Sequence, residues 1–244
     1  GVKVIAEALN CDYFCARPNK RGIRMAVIYK KDLSSNVSCE SISFGDLPIP
    51  SIQVSGDAEV LTPIAQRRDI LEITLTVNGK IISINTFHLK SNLPQYLEND
   101  DIENDKSAYI DAKFRCLFYK TMELCAIRRH ADKRLAEGKE VMLLGDYNET
   151  NIASILDILT GSQNREVIEY HDLLVGYEGD ATTHLYRGKK LVFDTIIASS
   201  GIKNAAKDIV VENTTLKDYS ALPQGAIEHE VESDHALVFV DISL

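Results

Sequence analysis

Residues 141–148 read Val141-Met142-Leu143-Leu144-Gly145-Asp146-Tyr147-Asn148, an apolar run followed at once by polar residues. Four consecutive apolar residues are typical of a strand that is covered on both faces. Because residues two apart on an extended chain point the same way, Asp146 and Asn148 are expected to share one face at the strand end. A carboxylate beside a neutral amide suits a divalent cation and a phosphate oxygen. The alternative is an ordinary strand-to-loop turn, where Gly, Asp and Asn are common.

Two well-marked elements precede this stretch. Residues 70–77 and 81–87 alternate and are rich in β-branched side chains, and Asn78-Gly79 between them predicts a tight hairpin. Residues 107–137 are typical of one long helix or a broken pair, which Gly138 is placed to end. The expected apolar face of this helix consists of Ile110, Phe114, Leu117, Leu124 and Cys125.

Further strands are predicted on both sides of these elements. The ranges 23–29, 191–198, 208–211 and 236–242 favour strands, and 151–160 favours a second helix. Residues 32–69 are expected to form a long connection with one short strand. Because antiparallel hairpins mix with helical crossovers, we expect an α/β sandwich with packed sheets and outer helices, forming a single domain over residues 1–244.

Asp194 interrupts the apolar segment Leu191-Val192-Phe193-Asp194-Thr195-Ile196-Ile197. A carboxylate removed from water there is costly unless a cation, a histidine or hydrogen-bond donors meet it. Asp194 is therefore a candidate functional residue. The alternative is a structural carboxylate that is tied to backbone amides or to an arginine.

Two histidines stand at strand ends. Ser233-Asp234-His235 directly precedes an apolar strand, and the pair of side chains suits a metal-binding carboxylate beside an acid/base histidine. The alternative is an acidic loop, since acidic residues alternate before it. His88 ends the second hairpin strand, where a lone histidine is more often structural. His130, His171 and His184 are assigned no chemistry.

Composition limits the possible functions. The 244 residues include 27 Lys+Arg and 36 Asp+Glu, a formal net charge of −9, which excludes a broadly basic nucleic-acid coat. No apolar run is long enough to predict a membrane span. Five scattered cysteines predict neither a disulfide framework nor a zinc knuckle. A local basic stretch without acids covers residues 17–31, and it is either a phosphate-binding patch or a solvated edge.

Taken in order, these segments resemble the endonuclease/exonuclease/phosphatase superfamily, with the closest likeness to its bacterial nuclease-like members. The matching segments span residues 17–244 and are residues 21–29, 68–71, 85–91, 145–148, 193–197 and 233–235. The resemblance implies a four-layer sandwich of two packed mixed sheets flanked by helices. It also implies a phosphodiesterase that depends on Mg²⁺, or on Mn²⁺ or Ca²⁺ in its place.

The resemblance further implies a role for each matching residue. Asp146 would position or deprotonate the attacking water, and Asn148 would hold a phosphate oxygen. Asp234 would bind the metal together with Asp146. His235 would stabilise the pentacovalent phosphate or move a proton, and Asp194 would orient it. The remaining expected contacts to the phosphate or to the substrate come from His88, Arg68 and Arg115.

Two parts of the superfamily pattern have no match here. An Asn-bearing strand and a strand ending in a metal-binding Glu do not precede Gly1, so we expect an upstream strand–helix–strand unit that supplies a further acidic ligand. An acidic residue that would orient His88 is also missing from residues 13–31.

The expected function is therefore a metal-dependent nuclease, endo- or exonucleolytic, acting as a monomer on nucleic acid or another phosphodiester. The alternatives are a phosphomonoesterase, a lipid phosphodiesterase, or a non-catalytic binding module with an incomplete metal site.

Overall fold

The computed structural model describes residues 1–20, 22–47, 68–150, 156–161, 169–221 and 233–244. The helices are α1 (Val2–Ala8), α2 (Lys106–Ala136), α3 (Asp157–Thr160) and α4 (Ser200–Ala205). The strands are β1 (Cys11–Cys15), β2 (Ala26–Lys30), β3 (Val37–Ile42), β4 (Ile70–Val77), β5 (Lys80–His88), β6 (Glu140–Asp146), β7 (Tyr170–Asp172), β8 (His184–Tyr186), β9 (Lys189–Leu191), β10 (Asp194–Ser199), β11 (Ala206–Glu212) and β12 (Leu237–Ile242).

A six-stranded mixed sheet, in the order β3-β4-β5-β6-β10-β7, forms the centre of the molecule. The predicted hairpin is confirmed: β4 and β5 pair antiparallel, and Asn78 and Gly79 have positive φ values of 50° and 78° in the turn. β5 and β6 pair in parallel, and α2 makes the crossover between them. β6 and β10 pair antiparallel. This arrangement brings the C-terminal ends of β5 and β6 and the start of β10 to the same end of the sheet.

The two faces of the sheet have separate cores. Val141 and Leu143 of β6 pack on one face with Leu124 and Ile127 of α2. Met142 of β6 lies on the other face, in a cluster with β10, β11 and β12. β6 is thus covered on both faces, as the apolar run 141–144 predicts.

Two two-stranded antiparallel sheets form the layer opposite α2. The β1–β2 pair packs on Leu71 and Ile73 of β4, and the β11–β12 pair packs on the β6–β10 half of the sheet. α1 lies against β1. The predicted α/β architecture of packed sheets with outer helices is confirmed. Among the described residues, no helix has the length and apolar character needed to cross a membrane, and all five cysteines carry free thiols.

The predicted helix is present, but its expected apolar face is wrong in the first half. Ile110, Phe114 and Leu117 are exposed by 66%, 65% and 51%, whereas Leu124 is buried as expected. The buried residues there are the small Ala108, Ala112 and Cys116. Small side chains let the loop after β5 approach closely: the Gln95 N–H donates to the Ala112 carbonyl.

Other boundaries also differ from the sequence predictions. The predicted strand 191–198 is divided, because β9 ends at Leu191 and β10 begins at Asp194. Asp194 is therefore a strand-end residue rather than an interruption. The predicted strand 23–29 begins only at Ala26. The connection 32–69 contains β3, although residues 48–67 lie outside the described residues, as do residues 151–155 of the predicted second helix.

Candidate active site

Three of the predicted site residues lie side by side on neighbouring strands. His88 ends β5, Asp146 ends β6 and Asp194 begins β10, and the strand register places His88 opposite Asp146 and Asp146 opposite Asp194. Directly paired residues project from the same face of a sheet. Their side chains therefore form one row at the sheet edge, and His88 Nε2 lies 3.2 Å from Asp146 Oδ2.

Gly145 makes the end of the parallel β5–β6 ladder possible. Its φ is +149°, and a Cβ atom there would lie 2.0 Å from the Phe87 carbonyl oxygen. Only glycine tolerates this close approach of two backbones. Gly145 thus determines the position of Asp146 opposite His88.

Asp234 and His235 reach the same edge from the segment that precedes β12. The Nδ1 atom of His235 lies 2.6 Å from Oδ2 of Asp194, and its Nε2 atom lies 3.9 Å from Oδ2 of Asp146. The contact that the resemblance implies between Asp194 and His235 is present. Because a carboxylate only accepts, Nδ1 carries the proton of that hydrogen bond.

Asn148 is bound to the row rather than pointing freely into the cavity. Its φ is +49°, and its backbone N–H donates to Oδ1 of Asp146 at 2.7 Å. Its side-chain amide donates to Oδ2 of Asp146 at 3.0 Å and to the Leu89 carbonyl at 3.1 Å. Both amide protons are therefore in use, and a phosphate oxygen would have to take the place of one of these acceptors.

These residues surround one cavity of about 410 Å³. Six of the eight predicted site residues line it, together with His184, Phe193 and Ser233. The six are His88, Asp146, Asn148, Asp194, Asp234 and His235.

The two predicted histidines have opposite protonation preferences. Burial lowers the pKa of His235, but the hydrogen bond to Asp194 and the charges of Asp194, Asp146 and Asp234 raise it to about 9. Burial, with the charges of Arg68 and His235, lowers the pKa of His88 to about 4. At neutral pH, His235 is therefore protonated and His88 is neutral.

Several carboxylates and histidines of the cavity lie close to one another. Burial and the neighbouring charge of Asp194 raise the pKa of Asp146 to about 6. Two sets of side chains have ligand atoms close enough together to hold a metal ion: Asp146 with Asp194 and His235, and Asp234 with His184 and His235. Asp146 and Asp234, the predicted metal pair, line the same cavity but belong to different sets.

Arg68 lies next to this cavity, whereas Arg115 does not. A second cavity of about 560 Å³ shares His88 with the first, and Arg68 and Lys20 also line it. Arg115 lines neither cavity, because its guanidinium group forms an ion pair with Asp100 and donates to the Gln95 carbonyl. The expected substrate contact from Arg115 is therefore not part of the site.

The basic stretch 17–31 is only partly directed at the site. Arg17 forms an ion pair of 2.6 Å with Asp69, and Lys31 donates to Asn10 at 2.6 Å. Lys20 lines the second cavity together with the uncharged Asn19 and Ile23 of this stretch, and Arg21 lies outside the described residues.

Sequence reasoning missed His184. Its ring lies 4.7 Å from the ring of His235 and 5.3 Å from that of Phe193, centroid to centroid. The pattern around it gives little signal, because β8 and β9 are three residues each. An isolated bridge pairs His184 with His235, a contact between residues far apart in sequence.

The fold is similar to that of several solved structures. Truncated TDP2 of Caenorhabditis elegans is 12% identical, with a TM-score of 0.57 over 97% of this chain and 77% of that chain. An endonuclease/exonuclease/phosphatase family protein from Leptotrichia buccalis is 16% identical, with a TM-score of 0.53 over 100% of this chain and 77% of that one. The 3′ phosphatase NExo from Neisseria, bound to a product DNA hairpin, is 16% identical, with a TM-score of 0.52 over 99% of this chain and 82% of that chain.

No protein-family model and no curated protein sequence matches the chain. The structural similarity extends over almost its whole length, and its strand ends carry the polar residues of the sequence motifs. The chain thus has the fold of the endonuclease/exonuclease/phosphatase superfamily.

Proposed function

We propose that the protein is a metal-dependent phosphodiesterase that directs water onto phosphorus, and that its substrate is a nucleic acid. The observation that carries this proposal is the row His88–Asp146–Asp194, completed by His235 from the opposite layer. Fixed carboxylates and histidines of opposite protonation preference provide both a base and an acid in one cavity.

Four residues of the cavity have a chemical task in this proposal. Asp146, held by the Asn148 backbone, would position or deprotonate the attacking water. His235, protonated at neutral pH, would stabilise the pentacovalent phosphate or give a proton to the leaving oxygen. Asp194 accepts from Nδ1 and so keeps Nε2 of His235 available to the substrate. His88 would donate to the scissile phosphate.

The donor set fits a divalent cation. Repulsion between the Asp146 and Asp194 carboxylates helps to raise the pKa of Asp146, and a cation would relieve that repulsion. Oxygen ligands favour Mg²⁺, with Mn²⁺ and Ca²⁺ as alternatives, and Asp146 and Asp234 would hold the ion. When bound, the ion supplies neutralisation of the charge that develops on the leaving oxygen.

The second cavity favours a diester over a monoester. It adjoins the first at His88 and is lined by Lys20 and Arg68, so a substituent beyond the scissile phosphate has room and cationic contacts. TDP2 of D. rerio in complex with single-strand DNA product, a structure with a TM-score of 0.53 to this chain, is consistent with a nucleic-acid substrate.

The test compares three substrates: supercoiled plasmid DNA, bis-p-nitrophenyl phosphate and p-nitrophenyl phosphate. We expect cation-dependent hydrolysis of the plasmid and of the diester, and loss of both in Asp146→Ala. Preference for the monoester would favour a phosphomonoesterase, and hydrolysis of a phospholipid but not of DNA would favour a lipid phosphodiesterase. No hydrolysis of any substrate would favour a non-catalytic binding module.

A further inference from the structure

The side chain of Thr183 connects to the segment that carries Asp194. Thr183 is fully buried, and its hydroxyl oxygen accepts from the backbone N–H groups of Phe193 and Asp194 at 2.9 and 3.0 Å. These two N–H groups lie at the start of β10, where an unpaired buried donor would be costly. One hydroxyl oxygen thus fixes the backbone from which the Asp194 carboxylate extends.

The backbone of Thr183 connects to the segment that carries His235. Its carbonyl accepts from the N–H of Ala236 at 2.8 Å, directly after His235. The same residue therefore binds both segments of the Asp194–His235 pair, one through its side chain and the other through its main chain. These segments are 41 positions apart in sequence, and Thr183 lies at the point where they meet.

His184 adds a second connection to the same segments. Its Nδ1 atom lies 2.9 Å from the carbonyl oxygen of Asp234, and because a carbonyl only accepts, Nδ1 carries the proton. Its ring contacts the rings of both Phe193 and His235. His235 is thus held at one edge by Asp194 and on one face by His184.

We propose that Thr183-His184, immediately before and at the start of β8, is the positioning element that sets the geometry of the Asp194–His235 pair. Neither residue is assigned a reaction step. They act through His235, and the inference rests on the proposed function only for its catalytic consequence. Small displacements of a catalytic group cost large factors in rate, so loss of these contacts is expected to lower kcat more than to raise KM.

The variants separate the loss of a hydrogen bond from a change in side-chain size. Thr183→Val keeps the shape and removes the oxygen that accepts from β10, whereas Thr183→Ser keeps that oxygen. His184→Phe keeps a stacking ring and removes the donor to Asp234. Thr182→Val is the matched control, because Thr182 is also buried but its hydroxyl donates to Asp180.

Two measurements are made on each variant of the 244-residue chain. The first is the proton NMR signal of Nδ1–H of His235, recorded without substrate or metal, since a short hydrogen bond to a carboxylate places that signal far downfield. The second is kcat and KM for bis-p-nitrophenyl phosphate with Mg²⁺. We expect Thr183→Val to shift or lose the signal and to lower kcat about 10- to 100-fold. Thr183→Ser is expected to retain both the NMR signal and the wild-type kcat. His184→Phe is expected to lower kcat and to shift the signal less than Thr183→Val does.

The NMR signal keeps this inference separate from the proposed function. If the wild type hydrolyses no phosphodiester but the signal disappears in Thr183→Val and remains in Thr183→Ser, the positioning role stands and the proposed function fails. The inference is overturned if folded Thr183→Val keeps the signal and a kcat within about twofold of Thr182→Val. Should Thr183→Val not fold, an unchanged signal and kcat in His184→Phe overturns it instead.

Discussion

Oδ2 of Asp194 lies 2.6 Å from Nδ1 of His235, and this contact joins the six-stranded sheet to the segment before β12. Because of this contact, Nδ1 of His235 donates its proton towards the sheet and Nε2 faces the cavity. His88, Asp146 and Asp194 lie on the six-stranded sheet, whereas His235 comes from the other layer. Without His235, the proposed site would lack its protonated histidine.

Replacing Asp194 with Asn removes the charge and the fixed acceptor for Nδ1–H of His235. We expect Asp194→Asn to lower kcat for bis-p-nitrophenyl phosphate by about a thousandfold or more, since the histidine loses its orientation and the negative charge that helps to keep it protonated. Asp172→Asn is the control, because Asp172 on the neighbouring β7 contacts Thr195 and lies outside the cavity. Wild-type kcat in Asp194→Asn would contradict the role of the pair.

A buried lysine holds the turn that carries Asn148. The Lys120 side chain is 0% exposed, and its ammonium group donates to the Asn148 carbonyl at 2.7 Å and to Glu149 at 3.0 Å. We expect Lys120→Met to lower the free energy of unfolding by about 3–5 kcal/mol, because Glu149 loses its buried partner.

Urea denaturation measures this loss, and Lys113→Met is its control. Lys113 is on the same helix and donates to the Asn92 carbonyl at 2.7 Å in an exposed contact. Its loss is expected to cost less than about 1 kcal/mol. Equal stability of the two variants would show that the Lys120 contacts do not hold the turn.

Glu72 predicts a pH dependence of stability that is unrelated to the cavity. Burial raises its pKa, but hydrogen bonds from His130, Arg134 and Ser83 lower it to about 2. Because the folded-state pKa is lowered, the contribution of Glu72 is fully present above its ordinary pKa of 4.5 and is lost as pH falls towards 2.

We therefore expect the stability difference between the wild type and Glu72→Gln to shrink by about 2 kcal/mol between pH 5 and pH 3. Urea unfolding at several pH values measures it. Glu40→Gln, at the paired exposed position of β3, is the control and is expected to show no such change. A stability difference between the wild type and Glu72→Gln that is constant with pH would contradict the lowered pKa of Glu72.

The carboxylates of the cavity predict weak binding of Mg²⁺ to these 244 residues. A hard cation needs more ligands than Asp146 and Asp234 provide, so we expect a dissociation constant of about a millimolar or weaker. Calorimetric titration measures it, and Asp146→Ala is expected to weaken binding further. Undetectable binding at high millimolar Mg²⁺ would favour the non-catalytic module.

Local patterns were enough to predict the hairpin, the buried strand β6 and the strand-end positions of His88 and Asp146. Each depends on residues that are neighbours in sequence, such as Asn78-Gly79 or the apolar run before Gly145. The buried face of α2 was predicted wrongly, because side-chain size does not show which face a loop will cover. Ala112 is buried since the loop at Gln95 passes directly over it, whereas the larger Phe114 remains exposed.

The contacts of the site were predictable only where a resemblance supplied them. His184 contacts Phe193 and His235 through a bridge between distant segments, and no local pattern indicates such a bridge. Arg115 was expected at the substrate because of its charge, but Asp100 and the Gln95 carbonyl hold its guanidinium group elsewhere. Charge alone does not place a side chain.

The central claim is that the cavity around Asp146 and His235 hydrolyses phosphodiesters with a divalent cation. The most direct test is release of p-nitrophenol from bis-p-nitrophenyl phosphate by chelator-treated protein, before and after addition of Mg²⁺, Mn²⁺ or Ca²⁺. The account predicts hydrolysis that depends on the cation in the wild type and falls by about a hundredfold or more in Asp146→Ala. No hydrolysis with any of the three cations, or equal hydrolysis by Asp146→Ala, would contradict it.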